Sequence, residues 1–268
     1  MSITAICMVG AAGKMGRRII ALGNDDSDIR VAGALEAKDS TFIGIDAGEV
    51  AGIGNIGMAI TDDFDVATKD ADVLIDFTFK TVTLKNLEMY EKVGKPVVIG
   101  TTGFENEEVE RIKALSNKIP VLLAPNMSLG VNLTFKVLEM VAKAVGNIYD
   151  IEIIEAHHRL KKDAPSGTAM KMAEVVAKAT NRDLEKDAVY CRRGLIGERK
   201  DNEIGIQTIR AGDIVGEHTV MFCGNGERIE ITHKAHTRDT FAKGALAAAK
   251  WIKDKPAGFY SMFDVLNL

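Results

Sequence analysis

The chain has 268 residues, 46% of them hydrophobic, with 34 Lys+Arg against 38 Asp+Glu for a formal charge of -4. This length and apolar content suit one large or two modest packed domains and exclude a small stapled scaffold. The nearly balanced charge points away from nucleic acid and anionic membranes and toward a small-molecule partner. No run approaches the roughly 18 apolar residues of a membrane span, and no basic n-region with a cleavage site is seen, so the cytoplasm is the expected location. Cys7, Cys191 and Cys223 lack CxxC spacing and read as reduced, structural thiols, with Cys7 buried in an apolar run.

In chain order, residues 3–9 read as a buried strand, 15–22 as a helix and 30–35 as a second strand, which together make a βαβ unit. The alternation continues with a strand at 72–77, a helix at 82–93, a strand at 96–99, a helix at 106–118 and a strand at 120–123. It implies a parallel sheet covered on both faces. A long helix over 129–145 leads to a strand at 151–156, a polar loop and a helix from about 166 to 180. Residues 183–202 are charged and irregular, the texture of a surface loop. Three extended stretches follow at 205–210, 213–222 and 228–234, the last two joined by Gly224-Asn225-Gly226, a hairpin signal. An alanine-rich helix over 241–252 stops before Lys255-Pro256. The fold class is therefore α/β: a Rossmann dinucleotide-binding domain followed by an α+β domain.

Gly10, Gly13 and Gly16 follow the first strand and open the first helix, where backbone N–H groups and the helix end can approach a pyrophosphate. The spacing is GxxGxxG, a weak signal alone. Glu36, 20 residues beyond Gly16 at the end of the second strand, strengthens it as an acceptor for the adenosine ribose. A carboxylate there favours NADH, while Lys38 leaves room for some NADPH use. Gly100-Thr101-Thr102-Gly103 and Ala124-Pro125-Asn126-Met127 each follow a strand end, where open α/β sheets bind ligands; both also suit plain turns.

The segment 155–169 gathers His157, His158, Arg159, Lys161 and Lys162 before Ser166-Gly167-Thr168, which opens a helix. Such a cluster suits a dianionic substrate. If the strand runs through His158, the two histidines face opposite sides, one placed to donate a proton and the other to meet a carboxylate. The helix start offers N–H groups to a carboxylate. No metal site is expected, because paired histidines without nearby Cys or spaced carboxylates lack a ligand pattern.

The run Glu155-Ala156-His157-His158 with Lys161 and Asp163-Ala164-Pro165-Ser166-Gly167-Thr168-Ala169 closely resembles the 4-hydroxy-tetrahydrodipicolinate reductase (dihydrodipicolinate reductase) family of the diaminopimelate route to lysine. Val9 with the glycine turn, Asp76-Phe77-Thr78, Gly100-Thr101-Thr102-Gly103, residues 126–132 and Gly216-Glu217-His218-Thr219 extend the resemblance over the whole chain. It implies His157 as proton donor, Lys161 assisting protonation and holding substrate, and His158, Gly167 and Thr168 as carboxylate binders. It implies cofactor contacts, with NADH or NADPH, from Gly10, Ala11, Ala12, Gly13, Lys14, Met15, Glu36, Gly100, Thr101, Thr102, Ala124, Pro125, Asn126 and Met127. A homotetramer formed through the second domain's sheet is also implied, and the expected division is 1–127 for dinucleotide, 128–238 for substrate and tetramer, and 239–268 returning to the first domain. Two stretches depart from the family pattern. Ala37 stands where NADPH users often carry Arg, and Phe79-Lys80 fills a stretch that commonly holds proline. The rival readings are another aspartate-pathway dehydrogenase, whose acylating form would need a nucleophilic cysteine, and a non-catalytic NAD(P)-binding sensor.

Overall fold

A computed structural model describes residues 3–268, which fall into two compact units, residues 3–129 with Asp239–Leu268 and Gly130–Arg238. The first unit opens with β1 (Thr4–Val9), α1 (Lys14–Asp25), β2 (Ile29–Leu35), the short helices α2 (Ala47–Ala51) and α3 (Phe64–Thr68), and β3 (Val73–Asp76). It continues with α4 (Lys80–Val93), β4 (Val97–Ile99), α5 (Asn106–Leu115) and β5 (Pro120–Leu123). Next come α6 (Leu129–Val145), β6 (Asp150–His157), α7 (Gly167–Thr180), α8 (Leu184–Asp187), β7 (Ala188–Val189), β8 (Ile204–Arg210), β9 (Gly216–Cys223) and β10 (Arg228–Ala235). The chain then re-enters the first unit with α9 (Asp239–Ile252), β11 (Gly258–Tyr260) and α10 (Met262–Val265).

The first unit's sheet has the order β11-β5-β4-β3-β1-β2, with every pair parallel. Successive side chains of a strand point to opposite faces, so Ile6 and Met8 join the core with Ile19, Ile20, Leu246 and Ile252 of α1 and α9. Ala5, Cys7 and Val9 join the other core with Leu87, Tyr90, Ile112 and Leu115 of α4 and α5. Cover on both faces is why β1 reads as one apolar run instead of an alternating one. Burial pushes the Cys7 thiol up to about 12, which leaves it protonated and inert. The burial expected of Cys7 is found; Cys191, for which none was expected, is exposed. Helix α9 packs closely on the loop after β5 because Gly244 has no side chain: a Cβ there would lie 1.7 Å from the Met127 carbonyl oxygen.

Strand β1 lies between β2 and β3, so the strand order reverses there and a crevice opens at the carboxyl ends. The loops at that edge are pinned by Asp76, which is fully buried. Its carboxylate accepts from the Tyr90 hydroxyl at 2.7 Å, the Thr78 hydroxyl at 2.7 Å and the Thr78 N–H at 2.9 Å. Residues 37–71, which carried no expected element, hold α2 and α3. Asp46 organises this excursion by accepting from the backbone N–H groups of Gly48, Glu49, Ile56 and Met58.

The second unit's sheet has the order β10-β9-β6-β8-β7. β9 pairs antiparallel with β6 and β10, whereas β8 runs parallel to both β6 and β7, so the sheet is mixed. Helix α7 covers one face, with Met172, Ala173 and Val176 buried there and Ile151, Ile153, Ile206 and Phe222 buried along the strands. Two sequence expectations change. β9 begins at Gly216 and not at 213, because the chain over 211–213 is spent on a turn: Ala211 N–H donates to the His157 carbonyl and Arg159 N–H to the Gly212 carbonyl. The irregular stretch 183–202 contains α8 and β7, and its Arg192 and Arg199 pair with Glu152, Glu203 and Asp150.

Tyr90→Phe removes a donor from a fully buried carboxylate while keeping the ring. A stability loss of about 1–3 kcal/mol is expected from the urea-unfolding midpoint; an unchanged midpoint would mean that Thr78 alone satisfies Asp76.

Candidate active site

At the glycine turn, Gly10 has φ +86°, and a Cβ on it would meet the Thr78 methyl at 3.0 Å and the Phe77 carbonyl oxygen at 3.2 Å. A Cβ on Gly16 would lie 2.1 Å from the Gly10 carbonyl oxygen. Gly16 is therefore required by the close approach of backbone, and Gly10 by its left-handed φ. Gly13 caps α1 without any side-chain hydrogen bond. Glu36 reaches back into the turn, its Oε2 accepting from Ala12 N–H at 2.9 Å and its Oε1 from Ala37 N–H at 3.0 Å. A helix start without a side-chain cap, a side-chain-free turn and an acid at the end of β2 fit a dinucleotide's pyrophosphate and ribose.

The neighbouring loops divide into exposed and buried positions. Gly100 is covered by the Phe77 ring, whose atoms would lie 2.1 Å from a Cβ. Thr101 is buried, and its hydroxyl accepts from Thr78 N–H at 3.1 Å and from the Thr83 hydroxyl at 3.1 Å. Thr102 is exposed. Ala124 and Met127 lie in the core, Pro125 is exposed, and Asn126 is half-buried with its Oδ1 accepting from Ser128 N–H.

In the second unit, the α7 face of the sheet carries a polar network. Glu155 and His157 are two apart on β6, which puts both on one face, and the register sets Glu155 between His218 on β9 and Thr208 on β8, with Arg210 beside His157. Glu155 has no solvent exposure at all. Its two oxygens receive the Arg210 guanidinium at 2.8 Å each, His157 Nδ1 at 2.6 Å, Ser166 N–H at 3.0 Å and the Thr208 hydroxyl at 3.3 Å. Burial opposes the charge, yet the Arg210 fork, His157 and Ser166 outweigh it and hold the carboxyl down at about 2. For His157 the balance goes the other way: burial lowers its pKa below 6.5 against the raising effect of Glu155.

Ser166 caps α7, its Oγ accepting from Ala169 N–H at 3.1 Å and lying 2.9 Å from His218 Nε2. His218 Nδ1 is buried with no hydrogen-bond partner among the described residues. The His157 and His218 rings meet edge to face at 5.2 Å. Gly216 makes room for them, since a Cβ there would lie 3.1 Å from His157 Nε2.

Among the expected site residues, His157, Lys161 and the α7 start lie on one continuous segment that Glu155 and Arg210 tie down at both ends. Lys161 pairs with Asp163 at 2.9 Å, Arg210 donates to the Asp163 carbonyl at 2.8 Å, and a Cβ on Gly167 would meet nothing within 4 Å. β6 stops at His157, so the alternation argument for His158 does not apply; His158 starts a turn in which its carbonyl accepts from Lys161 N–H. The sequence reading gave no role to Glu155, Arg210 or His218. For Glu155 the signal was present in its i, i+2 spacing to His157; for Arg210 and His218 it lay only in the strand pairing. Among the described residues, no group of three or more His, Cys, Asp or Glu is placed to hold a metal ion, and no helix is long and apolar enough to cross a membrane.

A parallel sheet with a glycine-lined turn and an acid at its switch point, followed in the chain by a mixed-sheet unit bearing histidines and cations, defines a nicotinamide-dependent oxidoreductase. Within that class, the chain belongs to the dihydrodipicolinate reductase family, whose N-terminal model matches residues 4–127 and whose C-terminal model matches residues 130–266. It is similar to the 4-hydroxy-tetrahydrodipicolinate reductase of Citrifermentans bemidjiense, 56% identical over 263 residues and 98% of each chain. The enzyme of that name from Syntrophus aciditrophicus is 51% identical over 260 residues and 97% of each chain. A solved structure of dipicolinate-bound dihydrodipicolinate reductase from a Paenisporosarcina species shares the fold, with a TM-score of 0.76 at 22% identity over 98% of each chain. The resemblance carried by residues 155–169 is borne out, and membership of this family implies a nicotinamide dinucleotide as cofactor.

His218 predicts a pH dependence. Burial, then the charge of His157, holds its pKa down from 6.5 to about 4. Between those values the unfolded chain binds more protons, so stability falls as pH drops from 6.5 toward 4. Glu155 acts in a lower window: its stabilising charge is fully present above 4.5 and is lost as pH falls toward about 2. Urea midpoints should therefore decline through both windows, and His218→Gln should make the first decline shallower; equal slopes in wild type and variant would contradict the assignment.

Proposed function

We propose that this chain reduces 4-hydroxy-tetrahydrodipicolinate to tetrahydrodipicolinate with NADH or NADPH, in the cytoplasm, on the diaminopimelate route to lysine. The observation that carries the reading is His157, held by Glu155 beside Lys161 and the Gly167-Thr168 helix start, in a chain at least half identical to relatives named for this reaction. Substrate dehydration gives a conjugated cyclic imine, to whose C4 a reduced nicotinamide dinucleotide, when held by the first unit's residues, would supply hydride. His157 donates the proton that the resulting enamine needs. Its pKa is lowered chiefly by burial, and the substrate's two carboxylates oppose that lowering and favour the protonated ring. Lys161 assists protonation and turns from Asp163 to a substrate carboxylate, while His158, Gly167 and Thr168 hold the carboxylates. Residues 10–15, Glu36, 100–102 and 124–127 hold the cofactor, the buried Ala124 and Met127 through backbone groups.

Glu36 accepts ribose hydroxyls and repels a 2′-phosphate, and Ala37 adds no cation beside it, so NADH is the preferred cofactor and Lys38 permits some NADPH use. The chain forms a homotetramer through the sheet face opposite α7, where Ile154, Ile209, Thr219 and Met221 alternate with the buried residues.

The direct test follows loss of reduced-nicotinamide absorbance with enzymatically made 4-hydroxy-tetrahydrodipicolinate; no loss with either cofactor overturns the activity. His157→Gln should lower kcat on the order of 100-fold with little change in KM, and Lys161→Ala should damage both. A kcat/KM for NADPH about a hundred times that for NADH, worth roughly 2.7 kcal/mol, would reverse the cofactor assignment. Light scattering should return four times the chain mass.

A further inference from the structure

We infer that Glu155 is the positioning residue of the proton transfer: it holds His157 through Nδ1–H, fixing the ring so that Nε2 is the nitrogen that delivers the proton. This rests on the reading of His157 as donor. Three observations carry it. First, Glu155 is ionised, because the Arg210 guanidinium meets both of its oxygens at 2.8 Å and Ser166 N–H adds a third donor. An ionised carboxylate can only accept, so the 2.6 Å contact requires the hydrogen on His157 Nδ1. Second, this leaves Nε2 as the exchanging nitrogen, and it lies over Gly216, where even a methyl group would stand 3.1 Å away. The absence of a side chain at 216 keeps that nitrogen from being crowded. Third, the same carboxylate holds Ser166, the cap of α7, and its partner Arg210 holds the Asp163 carbonyl, so the proton donor and both ends of the 163–166 stretch share one anchor.

In the transfer, the Nε2–H bond breaks and its electron pair stays on nitrogen, while the enamine's electron pair forms the new C–H bond. His157 is left neutral with Nδ1–H still on Glu155, and solvent returns the Nε2 proton. The charged or titratable groups facing the ring are Glu155 on β6, Arg210 on β8, His218 on β9 and Lys161 in the loop after β6. Of these only Glu155 favours the imidazolium.

The first test needs no substrate. Ring 15N NMR of the wild-type protein above the His157 titration, assigned by the signal missing in His157→Gln, should show protonated Nδ1 and bare Nε2; the opposite tautomer overturns the inference. The second test uses Glu155→Gln, checked for intact folding by its urea-unfolding midpoint. Its kcat should fall on the order of 10- to 100-fold with KM changed far less, as befits loss of an orienting partner. The limb on which kcat falls as pH rises should move to lower pH. In a His157→Gln background, Glu155→Gln should lower kcat no further, and losses that multiply would show that Glu155 does not act through His157. Should Glu155→Gln fail to fold, the wild-type tautomer alone decides. A wild-type chain inactive in the reductase assay refutes the activity, whereas the tautomer tests the positioning separately.

Discussion

Burying an ionised carboxylate costs several kcal/mol unless charge and hydrogen bonds replace the lost water. Glu155 meets that requirement with donors from three places: the Arg210 fork and Thr208 from β8, His157 from its own strand, and Ser166 from the cap of α7. None can move without leaving the others undersatisfied. The mixed sheet, the loop after β6 and the first turn of α7 are therefore locked to one another by electrostatics as much as by packing. A hydrophobic core alone would hold α7 on the sheet, but it would not specify which imidazole nitrogen is bound or where the loop ends sit.

The first unit solves a parallel problem with neutral donors. Asp76, buried at the end of β3, is met by hydroxyls and an N–H group from Tyr90 and Thr78, and Thr78 and Thr83 are linked in turn to Thr101. This ties the loops after β3 and β4 to a single point beside the glycine turn. The turn itself is shaped by exclusion, since a Cβ on Gly16 would strike the Gly10 carbonyl and Gly10 holds a φ that side chains disfavour. Both units thus place polar groups around a buried carboxylate, and the first also removes side chains so that backbone can approach.

How much of this was legible in sequence depends on distance along the chain. The alternating elements of the first unit were readable because each strand's apolar run and each helix's period are local. The hairpin at Gly224-Asn225-Gly226 was readable for the same reason, as was the concentration of cations and histidines at 157–168. The excursion at 37–71 was not, because its turns are set by Asp46 gathering N–H groups up to 12 residues away. β7 and β11 have two and three residues and carry no periodic signal. Arg210 was missed because its meaning comes from Glu155, 55 residues earlier, and appears only once β6 and β8 lie side by side. Family resemblance supplied the roles of His157 and Lys161, but not the carboxylate beneath them.

That separation bears on how the second unit matures. β6 is the central strand, flanked by β9 and β8, and the β6–β8 pairing closes a loop that includes α7, α8 and β7. Contacts so distant in sequence come at a high cost in chain entropy and form late relative to local helices and hairpins. The β9–β10 hairpin can be laid down from near neighbours, whereas both pairings of β6 are distant in sequence, and until β8 docks, Glu155 has no guanidinium and His157 no fixed tautomer. A chain stalled at that stage would keep most of its secondary structure while lacking the proton donor's setting altogether, so activity would register completion of the fold as an all-or-none event.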